Sequence, residues 1–278
     1  MKSYLRTKDF SVSNELFDLL HDEASDMLIT SPQPENISAY YNSESYISHS
    51  DSKKTIFDKL YFLVKGRMLS KKVKWVEKWC GKKTSLLDIG AGSGDFVKEA
   101  QKGGGSVMGV EPSEFARKRA MEKGISLVAD IKALEERKFE GITLWHVLEH
   151  LPELESQIET ISKLLGANGT LFVAVPNFRS FDAKYYGAFW AGYDVPRHLW
   201  HFSQKSIADL FAKQNMKVAK TIAMPFDAFY VSMLSEKYKG NSFWWFAFFW
   251  VGLWSNLKAY FSGEYSSLIY VLQRNKTI

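Results

Sequence analysis

Leu86-Leu87-Asp88-Ile89-Gly90-Ala91-Gly92-Ser93-Gly94-Asp95-Phe96 decides how this chain is read. An apolar run ends at Ile89, three alternating glycines follow, and an amphipathic segment from Asp95 to Lys102 opens a helix. A strand turning tightly into a helix aims the helix's first free N–H groups at the crevice above the sheet. Glycine is needed there because a side chain would hold a ligand off the backbone and because the bend calls for positive φ. The spacing separates two ligand classes. A dinucleotide fingerprint runs G-x-G-x-x-G, whereas glycines 90, 92 and 94 run G-x-G-x-G, and Asp95 stands where the third glycine of that fingerprint belongs.

Outward from this bend, short apolar runs alternate with amphipathic stretches, the pattern of a parallel sheet covered by helices. The runs are 85–89, 106–110, 125–129, 141–147 and 169–175, with closing strands at 217–224 and 264–274. Glu111, beside Pro112, ends the second strand, the position from which a carboxylate accepts both ribose hydroxyls. Asp130 closes the third strand, where its carboxylate or the Ile131 N–H can read an adenine edge.

The series LLDIGAGSGDF, GVEPS, VADI, HVLEHL and LGANGTLFVAVPN resembles the motifs of class I S-adenosylmethionine (SAM) dependent methyltransferases, in particular the type 23, ubiquinone-biosynthesis-like branch. PRHLWHFS (196–203) and EYSSLIYVL extend the likeness toward the C-terminus. The resemblance implies a Rossmann-like α/β fold with a seven-stranded, mostly parallel sheet of order 3-2-1-4-5-7-6, helices on both faces, an N-terminal helical arm and aromatic capping inserts. It implies SAM as cofactor and S-adenosylhomocysteine as product, held by Asp88, Gly90, Ala91, Gly92, Gly94, Glu111, Pro112, Asp130, Ile131 and His146. Relatives often carry an N-terminal Cys-x-x-Cys pair; LLHDEASDMLITSPQP has no cysteine, so this arm is expected to hold its shape by packing alone. Tyr41, Tyr46 and His49 lie in a segment that folds over the cofactor in relatives; an aromatic arm that anchors the first helix is the other reading.

Two units are expected: an arm with an amphipathic helix over 1–80, the arm irregular to about 52, and a methyltransferase domain over 81–278 with inserts at 176–203 and 225–263. Methyl transfer from a sulfonium is an in-line displacement, so the protein must align the acceptor, exclude water and, for a hydroxyl, remove a proton. Three histidines are candidates for that base. His198 and His201, in the long insert, are preferred, with His146 at the end of the fourth strand; Arg197 could orient an anionic acceptor. His146, Glu149 and His150 also spell H-x-x-E-H. Some quinone O-methyltransferases of the resembled branch hold a divalent ion there, but at a strand end the reading taken is a hydrogen-bonded turn and no metal.

The acceptor expected is a small molecule methylated on a hydroxyl, hydrophobic or lipid-like. A non-catalytic SAM-binding protein, or an enzyme acting on protein or nucleic acid, remains open. Nucleic acid is not the expected partner, because 36 basic against 31 acidic residues are spread along the chain without a cationic block. The single cysteine, Cys80, and the lack of a membrane-spanning apolar run point to a cytoplasmic protein. FWWFAFFWVGLW (243–254) is apolar all round, so it is either buried on the domain or a second subunit, giving a homodimer, or it meets the inner membrane surface.

Overall fold

The computed structural model describes residues 1–41 and 56–275, the first ten residues of the helix starting at Ile56 by backbone only. Two sheets organise it. The larger has six strands: β4 (Ser85–Ile89), β5 (Ser106–Val110), β6 (Phe139–Trp145), β7 (Leu165–Pro176), β9 (Met216–Ala223) and β10 (Ser267–Arg274). Their order across the sheet is β5-β4-β6-β7-β10-β9. The first four run parallel, while β10 is antiparallel to both neighbours. Parallel strands must be covered on both faces. One face packs on α1 (Ile56–Cys80) and α2 (Asp95–Gln101) through Val76, Phe96, Phe172 and Ile269; the other packs on α4 (Leu154–Leu164) and α6 (Gln204–Ala212) through Ile158, Ile161, Leu210 and Phe211.

The expected order holds except at its first position. Residues 125–129 do not form a strand: they touch β5 at the single bridge Val110↔Val128, where the Val128 N–H donates to Gly109 O and the Glu111 N–H to Val128 O. The cause is local. Gly124 turns with φ +80°, Ile125 drops onto Ala120 and Val97 beneath α3 (Glu114–Glu122), and Asp130 already caps the next 3-10 turn by accepting from the Lys132 N–H.

The expected amphipathic helix of the arm is α1, but the chain ahead of it is not irregular: among the described residues it is mostly strand. β1 (Lys2–Lys8), β2 (Leu16–Asp22) and β3 (Met27–Ser31) form an antiparallel meander that takes β8 (Trp200–His201) as its fourth strand. Phe17, Leu19 and Leu28 pack there against Phe178, Tyr186, Trp190 and Tyr193 of the first insert. Arm and insert therefore share one small core beside the main sheet. A carboxylate ties the β1–β2 loop: Asp9 accepts from the Ser11, Val12 and Ser13 N–H groups. The remaining insert elements are α5 (Phe181–Tyr186), α7 (Pro225–Tyr238) and α8 (Trp244–Ser262), the last two packed as a helical pair.

Candidate functional site

The bend after β4 has the geometry its glycines imply. Gly90, Gly92 and Gly94 have φ of +69°, +53° and +75°. A Cβ on Gly90 would lie 2.4 Å from a methyl of Val147, whereas one on Gly92 would meet nothing within 4 Å among the described residues, which leaves the backbone there open to a ligand. The Gly90 and Ala91 N–H groups donate to Val110 O and lock the bend to the end of β5. Asp95 pairs with Lys123 at 2.6 Å and fastens the start of α2 to the end of α3.

Glu111 faces this bend. One carboxylate oxygen accepts from the Gly92 N–H at 2.8 Å and the other from the Ser113 N–H at 2.9 Å. A carboxylate so held keeps lone pairs for two further donors. Pro112 is exposed beside it. Asp88, beneath the bend, is buried and accepts from the Thr143 hydroxyl at 2.6 Å. Burial pushes its pKa up to about 7, so it supports the turn rather than presenting charge to the crevice. Asp130 is exposed, with its carboxylate committed to capping, and Ile131 lies half-buried beside it.

At the end of β6 the chain enters a second unusual conformation. His146 has φ +58°, a left-handed backbone that costs a non-glycine residue about 1 kcal/mol and is concentrated at functional sites. Its ring lies between two carboxylates, with Nδ1 3.4 Å from Glu149 and Nε2 3.3 Å from Asp227. Burial opposes the proton, but Asp227 and Glu149 outweigh it and hold the imidazole at about 9. Asp227, on the first turn of α7, carries no motif of its own and reaches the site only because the second insert folds back over the strand ends.

Glu149 is buried, and among the described residues neither of its carboxylate oxygens accepts a hydrogen bond. Glu149, His150 and His198 each bring one donor atom to within 4.8 Å of the others, a set of two imidazoles and a carboxylate that suits a divalent transition ion. Burial alone would raise the Glu149 pKa, but the His146 ring 3.4 Å away helps hold it below the usual carboxylate range.

His198 and His201, the preferred candidates for the base, are both enclosed. His201 is buried in β8 with Nε2 3.0 Å from the Thr30 hydroxyl, and burial keeps its pKa far below the imidazole range. His198 is also enclosed, with Nδ1 3.0 Å from Gly192 O and its ring edge-on to His150. His150 is driven down to about 4 by burial and by His198, and its Nδ1 lies 3.0 Å from both the Tyr41 hydroxyl and Arg197 O. Tyr41 thus meets the turn after β6; Tyr46 and His49 lie outside the described residues.

Arg197 likewise serves the frame rather than an acceptor. It is 1% exposed, forks onto both Asp194 oxygens, and reaches Asp9 at 3.0 Å and Tyr40 O at 3.1 Å. Burial alone would raise the Asp9 pKa, but Arg197 and the loop N–H groups hold it below the usual carboxylate range. Arg197→Met should strand the buried carboxylate of Asp9 and the half-buried one of Asp194 and lower stability by about 3–5 kcal/mol, read as a fall in the urea midpoint. A midpoint equal to wild type would show that the network carries no weight.

Residues 63–221, more than half of the chain, match the family described as Methyltransferase domain. The chain belongs to that family. Among curated relatives of this methyltransferase-domain protein, the ubiquinone biosynthesis O-methyltransferase of Actinobacillus pleuropneumoniae serotype 5b (strain L20) is 35% identical over 111 residues, which is 35% of this chain and 47% of that protein. The protein of the same name from Colwellia psychrerythraea is 33% identical over 102 residues, 33% of this chain and 42% of that one. The chain thus spans about half the length of these curated relatives. Among solved structures, magnesium protoporphyrin IX methyltransferase from Synechocystis PCC 6803 superposes with a TM-score of 0.57 at 15% identity, covering 85% of this chain and 97% of that one. A putative sarcosine dimethylglycine methyltransferase from Galdieria sulphuraria gives 0.55 at 12% identity, covering 80% and 89%. These superpositions show that the fold is the Rossmann-like methyltransferase fold.

Proposed function

We propose that this methyltransferase-domain protein moves the methyl group of SAM onto a hydroxyl of a small, apolar acceptor. The observation that carries the reading is Glu111, already fixed over the glycine bend by the Gly92 and Ser113 N–H groups, with lone pairs left for a pair of ribose hydroxyls. The open face of Gly92 leaves room for the amino-acid portion of the same ligand. Two features favour a hydroxyl acceptor: the names of the curated relatives, and an imidazole of raised basicity where the acceptor proton must go.

The acceptor oxygen attacks the methyl carbon in line as the carbon–sulfur bond breaks, and S-adenosylhomocysteine leaves with the electron pair on sulfur. The acceptor's proton passes to neutral His146. Glu149 and Asp227 stabilise the imidazolium so formed and fix the ring's orientation. The methyl group arrives already activated by the sulfonium charge, so the chain's own work is alignment, exclusion of water and proton removal.

Calorimetry with SAM, S-adenosylhomocysteine and NAD, followed by mass spectrometry on alkyl-substituted phenols, tests the proposal. Binding of the first two ligands but not NAD is expected, with a phenol gaining one methyl group. Failure of both sulfur nucleosides to bind would end the reading.

A further inference from the structure

α8 is built inside out. Its inner face is small and polar: Val251, Gly252, Ser255 and Ala259 are buried, the Ser255 hydroxyl donates to the buried Asp182, and the Asn256 amide donates to Pro225 O. Gly252 allows the close approach, since a Cβ there would lie 2.6 Å from the Phe229 ring. The outer face is aromatic. Trp245, Phe246, Trp250 and Trp254 are each more than half exposed, and Tyr260 and Phe261 are 76% and 81% exposed. A helix in water turns the opposite way, and an apolar surface this continuous on a soluble domain marks a binding face.

The charges around the helix identify the occupant. Lys237 lies over the Trp244 ring at 4.7 Å, Lys258 over Phe181 at 4.7 Å, and Lys239 over Tyr185 at 5.5 Å. All three lysines are exposed. The acidic groups of the same helical pair are turned inward: Glu236 is 1% exposed and bonded to Asn241, and Asp227 is engaged with His146. The surface of this pair is thus aromatic within a cationic rim. Tryptophan with lysine at the margin is the composition of a headgroup boundary, and an unopposed positive rim suits anionic headgroups. Orientation follows from the docking. α8 is held along its length by α7 and α5, and no helix among the described residues is long and apolar enough to cross a membrane, so α8 lies in the plane of the surface.

We propose that the outer face of α8 docks this protein onto a bilayer surface rich in anionic lipid. The proposal does not depend on the reaction proposed above. It does place the docked face on the helical pair whose first turn supplies Asp227 to the site, so an acceptor dissolved in the bilayer would meet the domain there.

The test is flotation of the full chain with phosphatidylcholine vesicles, with and without phosphatidylglycerol, at low and high salt. Wild type should float with the anionic vesicles and less with neutral ones or in high salt. Trp250→Ser with Trp254→Ser should bind at least about tenfold more weakly, and Lys237→Gln with Lys258→Gln should lose the preference for phosphatidylglycerol. Both pairs are exposed, and a wild-type far-ultraviolet dichroism spectrum with an unchanged urea midpoint would show that the fold is kept. Wild type that stays at the bottom of the gradient overturns the proposal, as does a tryptophan variant that floats equally well. A dimer in light scattering that the tryptophan substitutions dissolve, with flotation by neither protein, would assign the face to a second copy instead.

Discussion

Glu111→Ala should weaken SAM binding about a hundredfold and leave the unliganded fold nearly as stable as before. Hydrogen bonds to a charged group contribute about 1.5–3 kcal/mol each, and the proposed site loses two of them, so a net loss of about 3 kcal/mol is the expected scale. The partners of Glu111 in the unliganded chain are the Gly92 and Ser113 N–H groups. Gly92 is half-buried and Ser113 exposed, so the substitution leaves donors that solvent can reach instead of burying them unsatisfied. That separates this variant from one at Asp88, whose buried carboxyl supports Thr143 within the sheet. Glu111→Gln should fall between wild type and alanine, because the amide retains one accepting oxygen. Calorimetry with S-adenosylhomocysteine reads the affinities and thermal unfolding reads the fold. Wild-type affinity in the alanine variant would remove the ribose from Glu111 and with it the cradle.

The bend was legible because its signals are local: three alternating glycines supply the positive φ of one turn, and Glu111 directly follows the neighbouring strand. The strands followed from the alternation of apolar and amphipathic stretches and their order from the resemblance, and the expectation failed only at 125–129, where Gly124 and the Asp130 cap leave too little extended chain for more than one bridge. The N-terminal meander was hidden for a different reason. Leu16, Phe17, Leu19 and Leu20 give no clean alternation, and the partner that completes the sheet, β8, comes from the first insert far along the chain. The histidines show the same limit. Sequence position put His198 and His201 in a loop above the strand ends, but the meander encloses that loop, and the Arg197 network with Asp9 and Asp194 closes it. Asp227 could not have been found at all, since nothing in Pro225-Phe226-Asp227 distinguishes a capped helix start from a group aimed at His146.

His146→Ala should lower kcat by about 10²–10⁴-fold, the usual range for a lost general base, while the dissociation constant for S-adenosylhomocysteine stays within about twofold. The pH profile carries the sharper content. Asp227 and Glu149 hold the His146 proton up to about 9, so at neutral pH only a small fraction of the protein has the free imidazole that removes a proton. The wild-type kcat/KM should therefore climb with pH toward about 9, and the alanine variant should lose that limb. Asp227→Asn removes one of the two charges that retain the proton, so its limb should move to lower pH even as its plateau falls. A residue that merely propped the turn would lower activity at every pH and shift nothing. Stability has the opposite sign. A histidine whose folded pKa is raised stabilises the fold fully below the unfolded imidazole value of about 6.5, and that contribution is lost as pH rises through about 9. Wild type should thus lose unfolding free energy over that window relative to His146→Ala, as its activity per folded molecule grows. An activity limb that persists in His146→Ala would transfer the proton to another group.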